Sequence, residues 1–229
     1  RGEGFVTARR WALAALAVLV ALFPATGATF YVELVTKVMI LAIFALSLDH
    51  LVGWTGLVSF GHAAFFGVGA YALALLSPKA AAAGLWSSLG IAIVAAALCA
   101  LVVGIFVLRT RGIYFIMVTL AFAQMFYFVF HDTDFGGGSD GRYVNLKPDA
   151  SILGFTPFDL DKPNQIYYVV LAVLVLVFAF LQMVLRSPFG RALQGIKANE
   201  QRMRALGYPV TAYKLAAFTL SGGIAGLGG

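Results

Sequence analysis

Polar side chains that could bind a small molecule are concentrated in a glycine-rich stretch of this otherwise apolar chain. Thr55, Ser59 and His62 lie among five glycines between Gly53 and Gly69. If Ser59 to His62 opens a half-helix within a membrane, its free N–H groups carry partial positive charge that suits a passing carboxylate. A structural alternative stays open, in which the glycines allow close helix packing and the histidine bonds a backbone carbonyl. The residues that we assign to a substrate pathway are Trp54, Thr55, Ser59, His62, Thr119 and Gln124.

The chain contains no catalytic or metal-binding motif with the required residue spacing. A serine nucleophile would need Gly-x-Ser-x-Gly, whereas Ser59 stands three residues after Gly56. The segment 135–141 lacks the Gly-Lys-Ser/Thr ending of a phosphate loop. Asp132, Asp134 and Asp140 do not complete a calcium loop, because Tyr143 stands where the bidentate glutamate should be. We therefore predict a chain without catalytic residues, metal or cofactor of its own.

A second group of polar residues is the basic stretch from Ser187 to Gly207. Ser187 is a suitable N-cap and Pro188 suits the first helical position, while Gly207 supplies a C-terminal stop. Asn199 and Glu200 interrupt a stripe of apolar residues at helical spacing. The stripe consists of Phe189, Leu193, Ile196, Met203 and Leu206. These features predict one amphipathic helix, or two short helices hinged near Asn199.

This amphipathic segment has two possible roles. It could lie in the lipid headgroups with its arginines against anionic lipid, or it could dock on a soluble partner. The polar break at Asn199 and Glu200 favours docking, because a helix lying on lipid has no need to interrupt its apolar face.

The composition places both groups of residues in a membrane protein. The chain has 61% hydrophobic and 11% charged residues, and its mean hydropathy is +0.91, whereas soluble domains carry about 25% charged residues. Several apolar runs of roughly 20 residues are long enough to cross a hydrocarbon core. The 25 glycines favour close packing between helices. We predict an all-α polytopic transmembrane bundle, residues 1–229 forming one domain.

The candidate spans leave one helix incomplete. Ala63 to Leu76 reaches only about 21 Å at 1.5 Å per residue, so we expect a helix broken within the membrane. The chain begins at Arg1 and stops at Gly229 inside a new apolar run, and we expect truncation at the C-terminus. The other candidate spans are Trp11 to Thr26, Phe30 to Leu51, Leu85 to Leu108, Ile113 to Phe130, Ile166 to Leu185 and a further one from Leu215.

The distribution of Lys and Arg predicts the orientation. With these spans alternating, the basic residues near positions 1–10, 109–111 and 186–214 all fall on one side, which is cytoplasmic by the positive-inside rule. The Asp-rich loop 131–165 is then periplasmic, and the loop 187–207 is cytoplasmic. The net charge of +6 follows this rule, so we do not expect nucleic-acid binding. The lone Cys99 excludes an intrachain disulfide.

Three stretches carry a family resemblance. They read GLVSFGHAAFFGVGAY at 56–71, RGIYFIMVTLAFAQ at 111–124 with GGSDG at 137–141, and GRALQGIKANEQRMRALG at 190–207. In this order they resemble the M-type permease subunits of branched-chain amino-acid ABC importers. The resemblance covers the chain from about Leu46 to Gly229.

The resemblance implies partners and a coupling role for the basic stretch. It implies a permease of the bacterial inner membrane that pairs with a second, related permease and two cytoplasmic ATPases. ATP and Mg²⁺ are bound by the ATPases, and substrate comes from a periplasmic binding protein. By analogy, the residues that couple to the ATPase are Phe189, Gly190, Arg191, Asn199, Glu200, Arg202 and Gly207.

Two other transport functions remain as alternatives. A permease for urea or short amides shares these motifs. A secondary amino-acid transporter would need charged relays inside the spans, and only Glu33, Asp49 and His50 qualify, all near span ends.

Overall fold

The computed structural model describes residues 20–21, 23–26, 29–76, 84–133, 136–138, 141 and 162–229. These parts form helices and connecting turns, without a strand, which confirms the predicted all-α class. A 3₁₀ turn, Phe23–Thr26, precedes the first long helix. The helices are α1 (Thr29–Asp49), α2 (Ala63–Leu76), α3 (Leu85–Val107), α4 (Ile113–Asp132), α5 (Pro163–Arg186), α6 (Pro188–Ala198), α7 (Glu200–Ala205) and α8 (Val210–Gly228).

Four helical segments of the described chain are long and apolar enough to cross a membrane. They are α1 with the turn that follows it (Thr29–Thr55), α3, α4 and α5. α2 is shorter, with 14 residues. The predicted span from Trp11 to Thr26 and the predicted loop 131–165 lie mostly outside the described residues. The remaining predicted spans coincide with these helices to within a few residues.

α1 does not end at Asp49 but continues as a π-helical turn, His50–Thr55. Gly56 closes this turn with φ +73°, a left-handed conformation that glycine adopts without steric cost. The backbone is then non-helical until α2 begins at Ala63. The non-helical backbone lies between Leu51 and His62, where the sequence predicted a helix broken within the membrane, and the break within the membrane itself stays a prediction.

α8 is the central helix of the bundle and packs against α1, α2 and α3. Gly222 and Gly226 face Ala100 and Ala96 of α3 so closely that a Cβ at either glycine would overlap the alanine side chain. Such contacts between small residues bring helix backbones together where no hydrophobic effect operates within lipid. Aromatic rings close the adjoining core, in which Phe218 meets the ring of Phe65 edge-on. α8 thus fixes the positions of α1 and α2, and with them the stretch between those two helices.

Candidate functional site

The polar stretch Gly56–His62, which we call the linker, lies against α4. The backbone N–H of Phe60 donates to Thr119 Oγ1 at 3.3 Å, and the Thr119 hydroxyl itself donates to the Ile116 carbonyl at 2.8 Å. Gly61 packs on the Thr119 carbonyl so closely that a Cβ would overlap it. Glycine is therefore required at position 61 for the linker to approach α4.

His62 joins the linker to two helices, α1 and α8, through two serine hydroxyls. Its Nε2 lies 2.9 Å from Ser47 Oγ of α1 and 3.3 Å from Ser221 Oγ of α8. The Ser47 hydroxyl donates to the Phe44 carbonyl at 2.6 Å, and the Ser221 hydroxyl donates to the Ser47 carbonyl. Because both serine hydroxyls already donate their protons to backbone carbonyls, their oxygens can only accept from His62. The ring hydrogen is therefore on Nε2. His62 Nδ1 is then a buried acceptor, without a partner among the described residues.

Ser59 faces a closed cleft between the linker and α4. Its side chain is buried, and Oγ has no hydrogen-bond partner in the described part of the chain. The cleft is too narrow for a water molecule, and Thr119, Phe122 and Phe126 of α4 line it opposite Ser59. The unpaired Ser59 hydroxyl thus lies beside an aromatic wall.

The other residues assigned to a pathway lie elsewhere. Trp54 and Thr55 belong to the π-helical turn, and the Thr55 hydroxyl donates to the Leu51 carbonyl at 2.5 Å. Gln124 is exposed on α4, whereas Thr119 is buried. The two residues are five positions apart, and at about 100° per residue their side chains lie on different faces of the helix. The structure thus brings Ser59 and Thr119 to one cleft, whereas His62 contacts Ser47 and Ser221 and Gln124 lies apart.

A large apolar groove of the described chain is unsuited to a zwitterionic molecule. It has a volume of about 770 Å³ and lies between α3, α5 and α8. Its lining is almost wholly aliphatic and aromatic, and Thr219 is its one polar side chain. A charged ammonium or carboxylate would find no compensating group there. Size alone therefore does not identify the substrate site.

The structure has the caps predicted at Ser187 and Gly207, and it adds an N-cap at Asn199 that was not predicted from the sequence. Ser187 Oγ accepts from the N–H of Gly190 at 3.4 Å at the start of α6, and Asn199 Oδ1 accepts from the N–H of Arg202 at 2.9 Å at the start of α7. Gly207, at φ +86°, ends α7 in a Schellman motif, in which the N–H of the following Tyr208 donates to the Met203 carbonyl at 3.1 Å. The segment is therefore two short helices hinged at Asn199.

Glu200 binds three basic side chains of the same chain. Its Oε1 lies 2.6 Å from Arg204 Nη2 and 3.4 Å from Arg111 Nη2, and its Oε2 lies 2.8 Å from Lys214 Nζ. The hydrogen bond from Lys214 is the main cause of the lowered pKa of Glu200; burial opposes it, and the charges of Lys214, Arg111 and Arg204 add to it. We call these four residues the Glu200 cluster. It joins α7, α8 and the α3–α4 loop.

The Glu200 cluster also bears on orientation. Arg111 follows α3 and Glu200 follows α6, and their contact brings two basic segments to the same end of the bundle. The positive-inside argument required this arrangement. Sequence reasoning assigned Glu200 to a partner contact and missed Arg111 and Lys214, although a lone acid among many basic residues was a signal for internal pairing.

α6 is anchored on the bundle, while α7 is exposed. Leu193 and Ile196 of α6 are buried, and the ring of Phe189 stacks on Tyr213 of α8 with centroids 5.5 Å apart. Gly190 packs on the Leu185 backbone, where a Cβ would overlap the carbonyl. No residue of α7 is buried. Leu206, predicted to belong to the apolar stripe, is 65% exposed, since the hinge at Asn199 turns α7 away from the face that α6 buries.

α6 also packs against the π-helical turn, and one of its charges bonds that turn directly. Lys197 Nζ donates to the Gly53 carbonyl at 2.6 Å. Arg191 and Arg202, two of the predicted coupling residues, are exposed. Lys197 was not among the residues singled out from the sequence.

The described residues contain no group of three or more His, Cys, Asp or Glu side chains that could hold a metal ion.

Comparison with known proteins identifies the family. The family model described as "Branched-chain amino acid transport system / permease component" matches residues 30–229. The chain is 32% identical to the "High-affinity branched-chain amino acid transport system permease protein LivM" of Escherichia coli (strain K12) and 31% identical to the protein of the same description from Salmonella typhimurium (strain LT2), each alignment covering 99% of this chain. No solved structure matches the chain at a significant level.

The chain spans 58% of the length of each of these relatives. The family match covers most of the chain, and it includes the linker, the Glu200 cluster and all the described long helices. Together with the membrane-length helices, it identifies a multi-pass protein of the inner membrane that is a transport component and not an enzyme. The chain belongs to the family of permease components of branched-chain amino acid transport systems.

Proposed function

We propose that the chain is the permease subunit of an ABC importer that moves branched-chain amino acids from the periplasm to the cytoplasm. Both relatives are described as high-affinity branched-chain amino acid permeases, which supports this substrate class. The observation that carries the mechanism is the packing of α6 against the π-helical turn that leads into the linker. The helix α6, which belongs to the proposed docking segment, is therefore next to the turn that leads into the proposed substrate contact, the linker.

The substrate is proposed to pass along the linker where it faces α4. The Ser59 hydroxyl is suited to the carboxylate, and Phe122 and Phe126 to the aliphatic side chain. The N–H groups of Ala64 and Phe65 at the start of α2, which the sequence predicted to be free, donate to the Gly61 and His62 carbonyls instead. In the present structure this cleft is closed. Transport therefore requires the linker to move away from α4, which would break the contact from Phe60 to Thr119.

The partners are proposed to be a second homologous permease, two cytoplasmic ATPases that bind ATP and Mg²⁺, and a periplasmic binding protein. α7 and the turn that follows it are the proposed ATPase contact, because their exposed surface combines Arg202 with the apolar Leu206 and Tyr208. Glu200 and Asn199 support this surface from within the chain. Gly190 and Phe189 anchor α6, so that a push on α7 reaches the bundle.

Reconstitution tests the proposal. The chain should co-purify with a second permease and two ATPases, and proteoliposomes containing that complex and the binding protein should take up leucine when ATP is supplied. Glu200→Ala and Gly190→Leu should abolish this uptake while the chain still inserts into the membrane. Normal uptake by both variants would refute the coupling role. Uptake of urea in place of leucine would refute the substrate class, and an active homodimer without ATPases would indicate a secondary transporter.

A further inference from the structure

We propose that Lys197 is a positioning residue that transmits movement of α6 to the linker through its bond to the Gly53 carbonyl. The proposal rests on the proposed function, because it names the link between the docking helices and the substrate contact.

The Gly53 carbonyl is available to Lys197 because of how the π-helical turn ends. In a continuing α-helix the N–H of Leu57 would donate to this carbonyl. Here it donates to Thr55 Oγ1 instead, at 3.3 Å. The Lys197 ammonium takes its place at 2.6 Å. A cation at a helix C-terminus is also favoured by the helix dipole.

The same side chain covers the first residue of the linker. Gly56 has φ +73°, and a Cβ built on it would lie 3.4 Å from Lys197 Cγ. Lys197 therefore contacts the turn at Gly53 with its ammonium and at Gly56 with its aliphatic stem. Movement of α6 acts on the position where the π-helical turn ends and the linker begins.

One buried polar side chain of the turn, His50, does not help to fix it. His50 is 2% exposed, and neither of its ring nitrogens has a hydrogen-bond partner within the described residues. Burying an unpaired imidazole is unfavourable, and π-helical turns occur often at functional sites. The conformation of the turn thus depends on neighbouring elements, among which α6 supplies the charged contact.

Lys197 is solvent-exposed, so its bond contributes little to stability. Its loss should consequently impair transport without unfolding the protein. This separates a positioning role from a merely structural one.

The test uses the complete transporter in proteoliposomes with three variants. Lys197→Met removes the charge but keeps the stem, Lys197→Arg keeps the charge, and Gln194→Met places the same methionine at another exposed position of α6. We expect Lys197→Met to lower the number of leucine molecules transported per ATP hydrolysed by about tenfold, a common size for coupling between sites. Lys197→Arg and Gln194→Met should stay close to the wild type.

A spectroscopic measurement follows the turn directly. Trp54 neighbours Gly53, and the chain has only two other tryptophans, Trp11 and Trp86. With 5-fluorotryptophan in this chain alone, Mg-ATP should shift the ¹⁹F signal of Trp54 in the wild-type transporter and in Lys197→Arg, but not in Lys197→Met.

The outcomes separate the two proposals. Failure of the wild-type transporter to take up leucine would refute the proposed function. Normal coupling in Lys197→Met, or an equal loss in Gln194→Met, would overturn the role of Lys197. If the wild type does not take up leucine, the ¹⁹F measurement on the same complex still decides the matter, because Mg-ATP must shift the Trp54 signal in the wild type and not in Lys197→Met. An equal shift in both, or no shift in the wild type, would overturn the inference.

Discussion

Glu200 Oε2 lies 2.8 Å from Lys214 Nζ, and this contact holds the exposed helix α7 on the first turns of α8. Arg111 brings the α3–α4 loop to the same carboxylate. The Glu200 cluster is thus a junction of three segments at the basic end of the bundle. Its position suggests that one carboxylate determines how α7 is presented to a partner.

Replacing the carboxylate should loosen α7. Glu200→Gln leaves three cations without their anion, and we expect trypsin to cleave several-fold faster after Arg202 or Arg204. The free energy of unfolding should fall by only about 1 kcal/mol or less, because the Arg pairs are largely solvent-exposed. Gln201→Ala, at the adjacent exposed position, is the matched control. Equal cleavage of both variants would contradict the role of the Glu200 cluster.

The contribution of Glu200 should depend on pH in a defined direction. Because the pKa of Glu200 is lowered in the folded state, chiefly by the hydrogen bond from Lys214, its contribution is present above the unfolded-state pKa of about 4.3. It is lost as the pH falls from there through the folded-state pKa. The difference in melting temperature between the wild type and Glu200→Gln should be constant from about pH 7 to pH 5 and shrink at lower pH. A difference that grows on acidification would have the wrong sign.

A methyl group at position 61 should disrupt the packing of the linker on α4. Gly61→Ala places a Cβ against the Thr119 carbonyl, and we expect a loss of about 1–3 kcal/mol in the free energy of unfolding. Gly67→Ala is the control, since a Cβ there meets no atom within 4 Å, and alanine is the better helix former. Thermal unfolding in detergent distinguishes the two variants. Similar melting temperatures would show that the linker does not pack on α4 as described.

The protonation of His62 is also testable. Both serine hydroxyls use their protons on carbonyls, so the neutral ring should be the Nε2–H tautomer. Solid-state NMR of the ¹⁵N-labelled ring should show a protonated Nε2 and an unprotonated Nδ1. Ser221→Ala removes one acceptor and a donor to the Ser47 carbonyl, with an expected loss of about 1 kcal/mol in stability. An Nδ1–H tautomer would contradict the assigned network.

Local sequence signals predicted the helix boundaries that depend on neighbouring residues. Ser187 and Asn199 accept hydrogen bonds from backbone N–H groups three residues further along the chain, and Gly207 adopts a positive φ. These roles follow from residue type and order alone. The interruption before Ala63 was likewise readable from glycines and helix length.

Contacts between distant segments were not readable in this way. Lys197 and Gly53 are 144 residues apart in sequence, and His62 and Ser221 are 159 apart. Such pairs depend on how α6 and α8 pack on the rest of the bundle. Composition and hydrophobic periodicity do not determine this packing. Gln124 shows the same limitation, because its residue type suggested a pathway but the rotation of α4 turns it outward.

The glycine contacts between α3 and α8 limit how this permease can change shape. With Gly222 against Ala100 and Gly226 against Ala96, no flexible side chain separates the two backbones. If one helix slid or rotated on the other, the glycine backbone of α8 would collide with the alanine side chains of α3, so the two helices must tilt together as one rigid unit. Lys214 lies at the basic end of α8, and Ser221 touches His62 further along the same helix. A small displacement of the basic end can therefore reach the middle of the bundle.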